Sequence, residues 1–354
     1  MNIARGPISL TLLLSSTLAF TACGAQSQFA PVTGSDAATT ARTVADSTID
    51  CGGQPMGQLG NQGPKMAHPH FQKKTGTAKG SQPAADFRLA VSNATANAAE
   101  IFNRRYDQIG KFTGGLNGPS GEAYDGHGNL FVANSDAFNV EEYPDDGIMP
   151  SFTYSAGLDS SERPTDVATD AGGNVYVAST TAEVCSGRGS VIEYAPHQNA
   201  AMLKCTLGAA VGVAVDKAGD VFVSETTGID SARIVEFIGG LHGCLRSTLS
   251  AAIASPGAIR LGNDGVLFAV NRVNGAIDVI APPYDKLTTL ASGFVNPTAV
   301  ALDSRETRLF VADYGAGKVW VFAYPGGELL RTLGSEHGIA APRGLATFPK
   351  ATYP

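Results

Sequence analysis

The sequence predicts an all-β fold: six four-stranded blades closed into a ring, with the last blade assembled from both ends of the chain. Three observations predict it. One pattern returns at intervals of 41 to 46 residues, at Pro119, Pro164, Ala210, Pro256, Pro297 and Pro342. Each copy consists of short apolar runs joined by Asp/Gly turns, and no run is long enough at a 3.6 period to read as a helix. The sixth copy lacks its later strands after residue 348, and segments that match them stand ahead of the first copy.

The elements of one copy follow in order. The first strand is a small-residue run, Pro119 to Tyr124 in the first copy and Pro164 to Thr169 in the second. It ends on Asp125, Asp170 or Asp216, with a glycine at Gly128, Gly173 or Gly219 and then Asn129, Asn174 or Asp220. Asp bonds its own backbone there and Gly supplies φ > 0, which makes a hairpin turn. The second strand, Leu130–Ala133 or Val175–Ala178, has no polar alternation, as expected of a strand covered on both faces. Third strands are expected at Val140–Tyr143, Val191–Tyr194, Ile234–Phe237, Ile277–Ile280 and Val319–Phe322. The repeat length is that of a β-propeller blade. Pro342 to Thr347 supplies the sixth first strand, and Phe87–Asn93, Ala99–Phe102 and Gln108–Phe112 supply its partners. Closure in this way removes the open sheet edges.

The ends of the chain read differently. Arg5, the apolar run Ile8 to Phe20 and the small residues Thr21-Ala22 have the parts of a secretory signal, and the run is too short to span a bilayer. Thr21-Ala22-Cys23-Gly24 resembles the lipobox of bacterial lipoproteins, with Phe20 where that motif has Leu, Ile or Val. The resemblance implies cleavage after residue 22 and acyl chains on Cys23; the alternative is plain secretion with Cys23 an ordinary cysteine. Gly24 to Ala85 is rich in Ala, Thr, Ser, Gly and Gln and too poor in apolar residues to fold alone, so it reads as a flexible tether. The expected organisation is a signal at 1–22, a lipidated tether at 23–85 and a propeller at 86–354. The expected location is the periplasmic or cell-surface side of a membrane, held by the lipid alone.

A net charge of −7 with 16% charged residues argues against a nucleic-acid or anionic-membrane ligand. Besides Cys23 the chain has Cys51, Cys185, Cys205 and Cys244, an even number suited to disulfides in an exported protein. The loop after Ser179 is long and carries Cys185, and Cys205 lies in the fourth strand of the same blade. A Cys185–Cys205 bond is expected there, which leaves Cys51 with Cys244. His68-Pro-His70 lacks a third ligand and reads as solvated.

The run Pro-x-Gly-x-Ala-x-Asp-x-x-Gly-Asn-Leu-Phe-Val-Ala resembles NHL repeats and, more loosely, the SMP-30/gluconolactonase-like propellers, over residues 86 to 348. The second resemblance implies a divalent ion on the axis, and Ca²⁺ wants six to eight oxygens. Two rows of first-strand positions lie near that axis: Gly121, Asp166, Gly212, Ala258, Ala299, Gly344, and Ala123, Ala168, Ala214, Arg260, Ala301, Ala346. Only Asp166 and Arg260 break the run of small residues, so one carboxylate is available and no cofactor is expected. The second strands end on Asn93, Asn134, Ser179, Glu225, Asn271 and Asp313, which read either as loop caps or as a polar rim around the mouth. Extended by Asp136, Arg272, Tyr314 and Arg343, that rim suits a glycan, a peptide or an envelope protein. The expectation is a non-enzymatic binding module with no catalytic residue; the alternative is a metal-dependent lactonase or lyase, with Asp166 as one ligand and Glu225 reaching in from a loop.

Overall fold

The computed structural model describes residues 63–67, 87–145, 147–181, 187–228 and 231–349. A short strand β1 (Lys65–Met66) comes first, then β2 (Arg88–Asn93), β3 (Ala98–Phe102) and β4 (Gln108–Phe112). Blade 1 is β5 (Pro119–Tyr124), β6 (Leu130–Asn134), β7 (Asn139–Tyr143) and β8 (Phe152–Tyr154). Blade 2 is β9 (Glu162–Thr169), β10 (Val175–Thr181), β11 (Gly189–Tyr194) and β12 (Ala201–Leu207). Blade 3 is β13 (Ala209–Val215), β14 (Val221–Gly228), β15 (Ser231–Phe237) and β16 (Ser247–Thr248). Blade 4 is β17 (Pro256–Leu261), β18 (Leu267–Asn271), β19 (Ala276–Ile280) and β20 (Leu287–Ser292). Blade 5 is β21 (Pro297–Leu302), β22 (Arg308–Asp313), β23 (Lys318–Ala323) and β24 (Leu329–Leu333). The last strand, β25 (Pro342–Phe348), pairs with β2, so blade 6 runs β25-β2-β3-β4. Its register sets Phe348 against Arg88, Leu345 against Val91 and Pro342 against Asn93. The ring is therefore closed by hydrogen bonds between the two ends of the fold.

The unbroken apolar second strands are explained by what each face meets. Alternate residues of a strand point to opposite faces, and each face packs on a different neighbouring blade. Six apolar clusters result, one per seam. Phe131, Val140, Val175 and Ile192 fill the seam between blades 1 and 2, for example, and Phe222, Ile259 and Leu267 that between blades 3 and 4. The hairpin turns take the form read from the sequence. The Asp125 carboxylate accepts the amides of His127 and Asn129 at 2.8 and 2.9 Å, and Gly128 sits at φ +93. Blade 4 has Gly262 where blades 1, 2, 3 and 5 have Asp, and Glu306 of blade 5 accepts the Asn263 amide instead.

Each first strand also carries a β-bulge just after the residue that opens its repeat, Pro119, Pro164, Ala210, Pro256, Pro297 or Pro342. In blades 1, 2 and 5 a hydroxyl at the bulge ties the blade to the next one. Ser120 donates to the Pro164 carbonyl at 3.4 Å, Thr165 to Ala210 at 2.9 Å and Thr298 to Pro342 at 3.1 Å. In blade 3 the bulge residue is Val211, and Ser224 of the second strand donates to Gly257 at 2.7 Å in its place.

Two expectations are revised. Within the segment read as tether, residues 63–67 lie on the propeller: β1 adds a fifth strand to blade 4 by pairing with β20, and Met66 is buried in the seam between blades 4 and 5. The disulfide joins Cys205 to Cys244, with Cα atoms 5.4 Å apart, so neither Cys185–Cys205 nor Cys51–Cys244 forms. The reason is strand alternation: Cys205 sits opposite Val191 and faces Val213, Val235 and Leu241 of blade 3. The connection between β15 and β16 folds over that seam and brings Cys244 to it. Cys23, Cys51, Cys185 and the His68/His70 pair lie outside the described residues. Among the described residues no helix is long and apolar enough to cross a membrane.

Candidate functional site

The axis is narrow because the first strands approach backbone to backbone. A Cβ on Gly212 would stand 2.7 Å from the Gly257 carbonyl oxygen, and one on Gly344 would collide with the Ser120 carbonyl. The small residues of the two axial rows are thus packing requirements. The exceptions, Asp166 and Arg260, meet each other across the axis. Arg260 of blade 4 grips the Asp166 carboxylate of blade 2 in a fork, Nη1 to Oδ2 at 2.7 Å and Nη2 to Oδ1 at 3.0 Å. Its Nη2 also donates to the Glu122 carbonyl of blade 1 at 3.1 Å. Asp166 Oδ2 additionally accepts the Val213 amide of blade 3 at 3.1 Å. One ion pair therefore ties four blades together, and Gly121 leaves the space that the Asp166 carboxylate fills.

A second carboxyl lies beside this pair. Glu122 is fully buried between blades 1 and 6; its Oε1 accepts the Ser92 amide at 3.1 Å and its Oε2 the Ser92 hydroxyl at 2.9 Å. Burial pushes its pKa up to about 8, against the smaller downward pull of Ser92 and of the Arg260 charge. The equivalent positions in the other blades are Val167, Val213, Ile259, Val300 and Leu345. A lone carboxylate in an aliphatic row is the signal that marks Glu122 in the sequence, although the two axial rows alone pass it by.

On the face of the first hairpin turns the axis opens into a cavity of about 100 Å³, with Tyr124, Val215, Leu261 and Leu302 among its walls. Glu122 and Arg260 also line it. Ligand pockets are commonly about 300–1,000 Å³, so this recess is too small for a substrate of ordinary size. It lies on the face opposite the rim singled out from the sequence.

That rim divides into two sets. Asn134, Glu225, Asn271 and Asp313 are buried and turned to the backbone or to neighbouring side chains. Asn134 accepts the Asn117 amide at 2.6 Å and donates to Gly115 at 2.8 Å. Glu225 accepts the Gly208 amide at 2.6 Å and pairs with Arg233 at 2.7 Å. Asp313 accepts the amides of Val295, Asn296 and Ala316 and the Trp320 indole N–H. Asn271 donates to Asp278 at 2.8 Å. Asn93 does for blade 6 what Asn134 does for blade 1, donating to Gly338 and accepting from Ala341. In most blades the end of the second strand thus staples the incoming blade-to-blade connection. Asp136, Arg272, Tyr314 and Arg343 form the second set, each reaching solvent on the same face. Asp136 bonds Arg163 of blade 2 at 2.8 Å, and the Arg343 guanidinium lies over the Tyr314 ring at 5.7 Å. The described residues hold no cluster of three His, Cys, Asp or Glu spaced for a metal ion.

No protein-family model and no curated protein matches the sequence. Solved structures of similar shape exist. A chain from a crystal structure of a nidogen/laminin complex superposes with a TM-score of 0.57 at 14% identity, covering 74% of this chain and 98% of its own. A protein of unknown function from Bacteroides caccae superposes with a TM-score of 0.57 at 12% identity, covering 74% and 99%. A streptogramin B lyase structure aligns more loosely, at a TM-score of 0.42 and 14% identity over 72% of this chain and 75% of its own. At these identities the likeness is one of fold: a six-bladed β-propeller of four-stranded blades.

Proposed function

We propose that this chain is an NHL-like binding propeller of the cell envelope, exported and held on a membrane by a lipid on Cys23, with no chemistry of its own. The observation that carries this reading is the Arg260–Asp166 fork across the axis. A gluconolactonase-like centre would need Asp166 as a cation ligand, and here a guanidinium already occupies both its oxygens. Displacing it would leave a largely buried arginine without its counter-charge, which costs several kcal/mol. The similar chain from the crystal structure of a nidogen/laminin complex is a propeller found in a complex, which accords with a binding role. The face carrying Asp136, Arg272, Tyr314 and Arg343 is the binding face in this reading, because connections on a rigid scaffold are free to vary without disturbing the blades.

The full chain, stripped with chelator, should show no stoichiometric Ca²⁺ binding by calorimetry. Tight one-to-one binding abolished by Asp166→Ala would overturn the reading and restore a metal-dependent lactonase or lyase. Cys23→Ser should move the protein from the membrane to the soluble fraction and end incorporation of labelled fatty acid. An unchanged distribution would remove the lipid anchor.

A further inference from the structure

We propose that the binding face takes an acidic peptide segment of a partner protein, gripped by Arg163, Arg272 and Arg343. The inference rests on the binding-module reading and names its ligand class. These three arginines stand on blades 2, 4 and 6, alternate members of the ring, so they surround the mouth from three sides. Beside them stand the carboxylates of Asp136 and Glu162, and Glu162 pairs with Lys204 at 3.1 Å and accepts the Ser179 and Ser190 hydroxyls at 2.9 and 2.7 Å. The carboxylates just below are already answered: Glu225 pairs with Arg233, and Asp313 accepts four N–H groups.

Two local features suit the arginines to carboxylates. Arg163 and Asp136 are both more than 40% exposed, so their ion pair is worth at most about 1 kcal/mol and exchanges readily for a ligand carboxylate. Arg343 sits on the bulge of β25, and bulges re-aim side chains. Both stacked arginines keep a planar fork pre-organised on an aromatic face, Arg343 on Tyr314 and Arg163 on Phe138, each at 5.7 Å. The same stacking favours a peptide over a uronate glycan. A sugar ring would want those aromatic faces for itself, and each already has a guanidinium over it.

The opposite face reinforces the choice. Its hairpin turns carry Asp125, Asp170, Asp216, Asp220, Asp264 and Asp303 against Lys217 and Arg305. An acidic ligand is repelled there and steered to the arginine side, although the chain as a whole is at −7.

The test titrates a fluorescent hexaglutamate peptide into the full chain at low and physiological salt, beside hexalysine, a neutral Ser/Gly hexamer and polygalacturonate. Hexaglutamate should bind, weaken with salt and lose at least tenfold in affinity in the triple variant Arg163→Gln, Arg272→Gln, Arg343→Gln. Lys217→Gln with Lys286→Gln on the other face should leave it unchanged. Because three rim changes could disturb folding, melting curves accompany them, and Arg272→Gln alone should still weaken binding measurably. Absence of hexaglutamate binding, indifference to the arginines, or tighter binding of polygalacturonate overturns the inference. A neutral or basic ligand that is lost on Tyr314→Ala but indifferent to the arginines would remove only the acidic class. No ligand on this face at all would remove the binding-module reading with it.

Discussion

Two carboxyls near the axis show how burial and partners give one residue type opposite roles. Asp166 is gripped by a forked arginine and serves as a tie between blades. Glu122 has the hydrogen bonds of Ser92 and the pull of the Arg260 charge, and burial outweighs both, so at neutral pH it carries a proton. A carboxyl whose folded pKa lies near 8 and whose unfolded pKa is about 4.5 keeps its proton longer in the native state. The stability it contributes is fully present below about pH 4.5 and is lost as pH rises through about 8. Each unit in that window is worth on the order of 1.4 kcal/mol, so the total reaches a few kcal/mol. Thermal melts between pH 5 and 9 should therefore show the midpoint falling as pH rises. Glu122→Gln keeps the contacts with Ser92, cannot ionise, and should flatten most of that slope while raising the midpoint at pH 8 to 9. Part of the slope survives in the variant, because Glu141, Glu193, Glu236 and Asp216 are also raised by burial. An equally steep fall in the variant would mean that Glu122 is already ionised at neutral pH.

At the scale of the element, the disulfide clips the outer strand of blade 2 to the connection that precedes the outer strand of blade 3. It spans a sequence separation of 39 and closes a loop whose entropy, in the chain-entropy account, is worth about 4 kcal/mol. Cys205→Ala with Cys244→Ala should lower the melting midpoint accordingly, and non-reducing peptide mapping of the parent should recover these two cysteines in one linked fragment. Mapping that links either of them to Cys51 or Cys185 would contradict the bond. The elements themselves were legible in the sequence, since the apolar second strands are local signals repeated in five copies and the Asp/Gly turns recur in four of them, with Glu306 at φ +51 in the fifth. The cysteine pairing was not, because it depends on which face of β12 turns towards the next blade and on the path of an irregular connection. Nor was β1 legible: Lys65-Met66 is two residues long and owes its strand form to the edge of β20 and to a seam that buries Met66. Asp166 and Arg260 each stood out against small residues, yet 94 positions separate them and only ring closure brings them together. The second-strand ends were legible as polar and as caps. That they fasten mostly the blade-to-blade connections follows from the curvature of the ring, which no single repeat reveals.

For the whole molecule, the decisive contact is the one that no covalent hairpin supplies. In blades 1 to 5 the first and second strands are joined by a tight turn, whereas in blade 6 they meet as separate ends, β25 against β2. The seam is built like the others: Thr347 donates to the Leu302 carbonyl, Arg88 lies over the Phe348 ring at 4.7 Å, and Leu345 and Ala346 are buried on the two sides of the strand. If stability resides in the closed ring and not in the order of the chain, the break can be moved. Phe348 and Arg88 are register partners, so a short Asp/Gly-type turn from residue 349 to residue 87 suffices to turn blade 6 into an ordinary blade. New ends placed in the exposed stretch at Asp159–Ser161, between blades 1 and 2, would open only one irregular connection. That permutant loses β1, and its melting midpoint should fall by no more than the contribution of the Met66 contacts, with a single cooperative transition retained. The counterpart that ends at residue 341 lacks β25, exposes the inner edge of β2 and opens both seams of blade 6. It should lose cooperative melting altogether. A stable, cooperative truncation would show that five blades hold their curvature without closure; a permutant that fails to fold would show that the non-covalent join, and not the ring alone, is required.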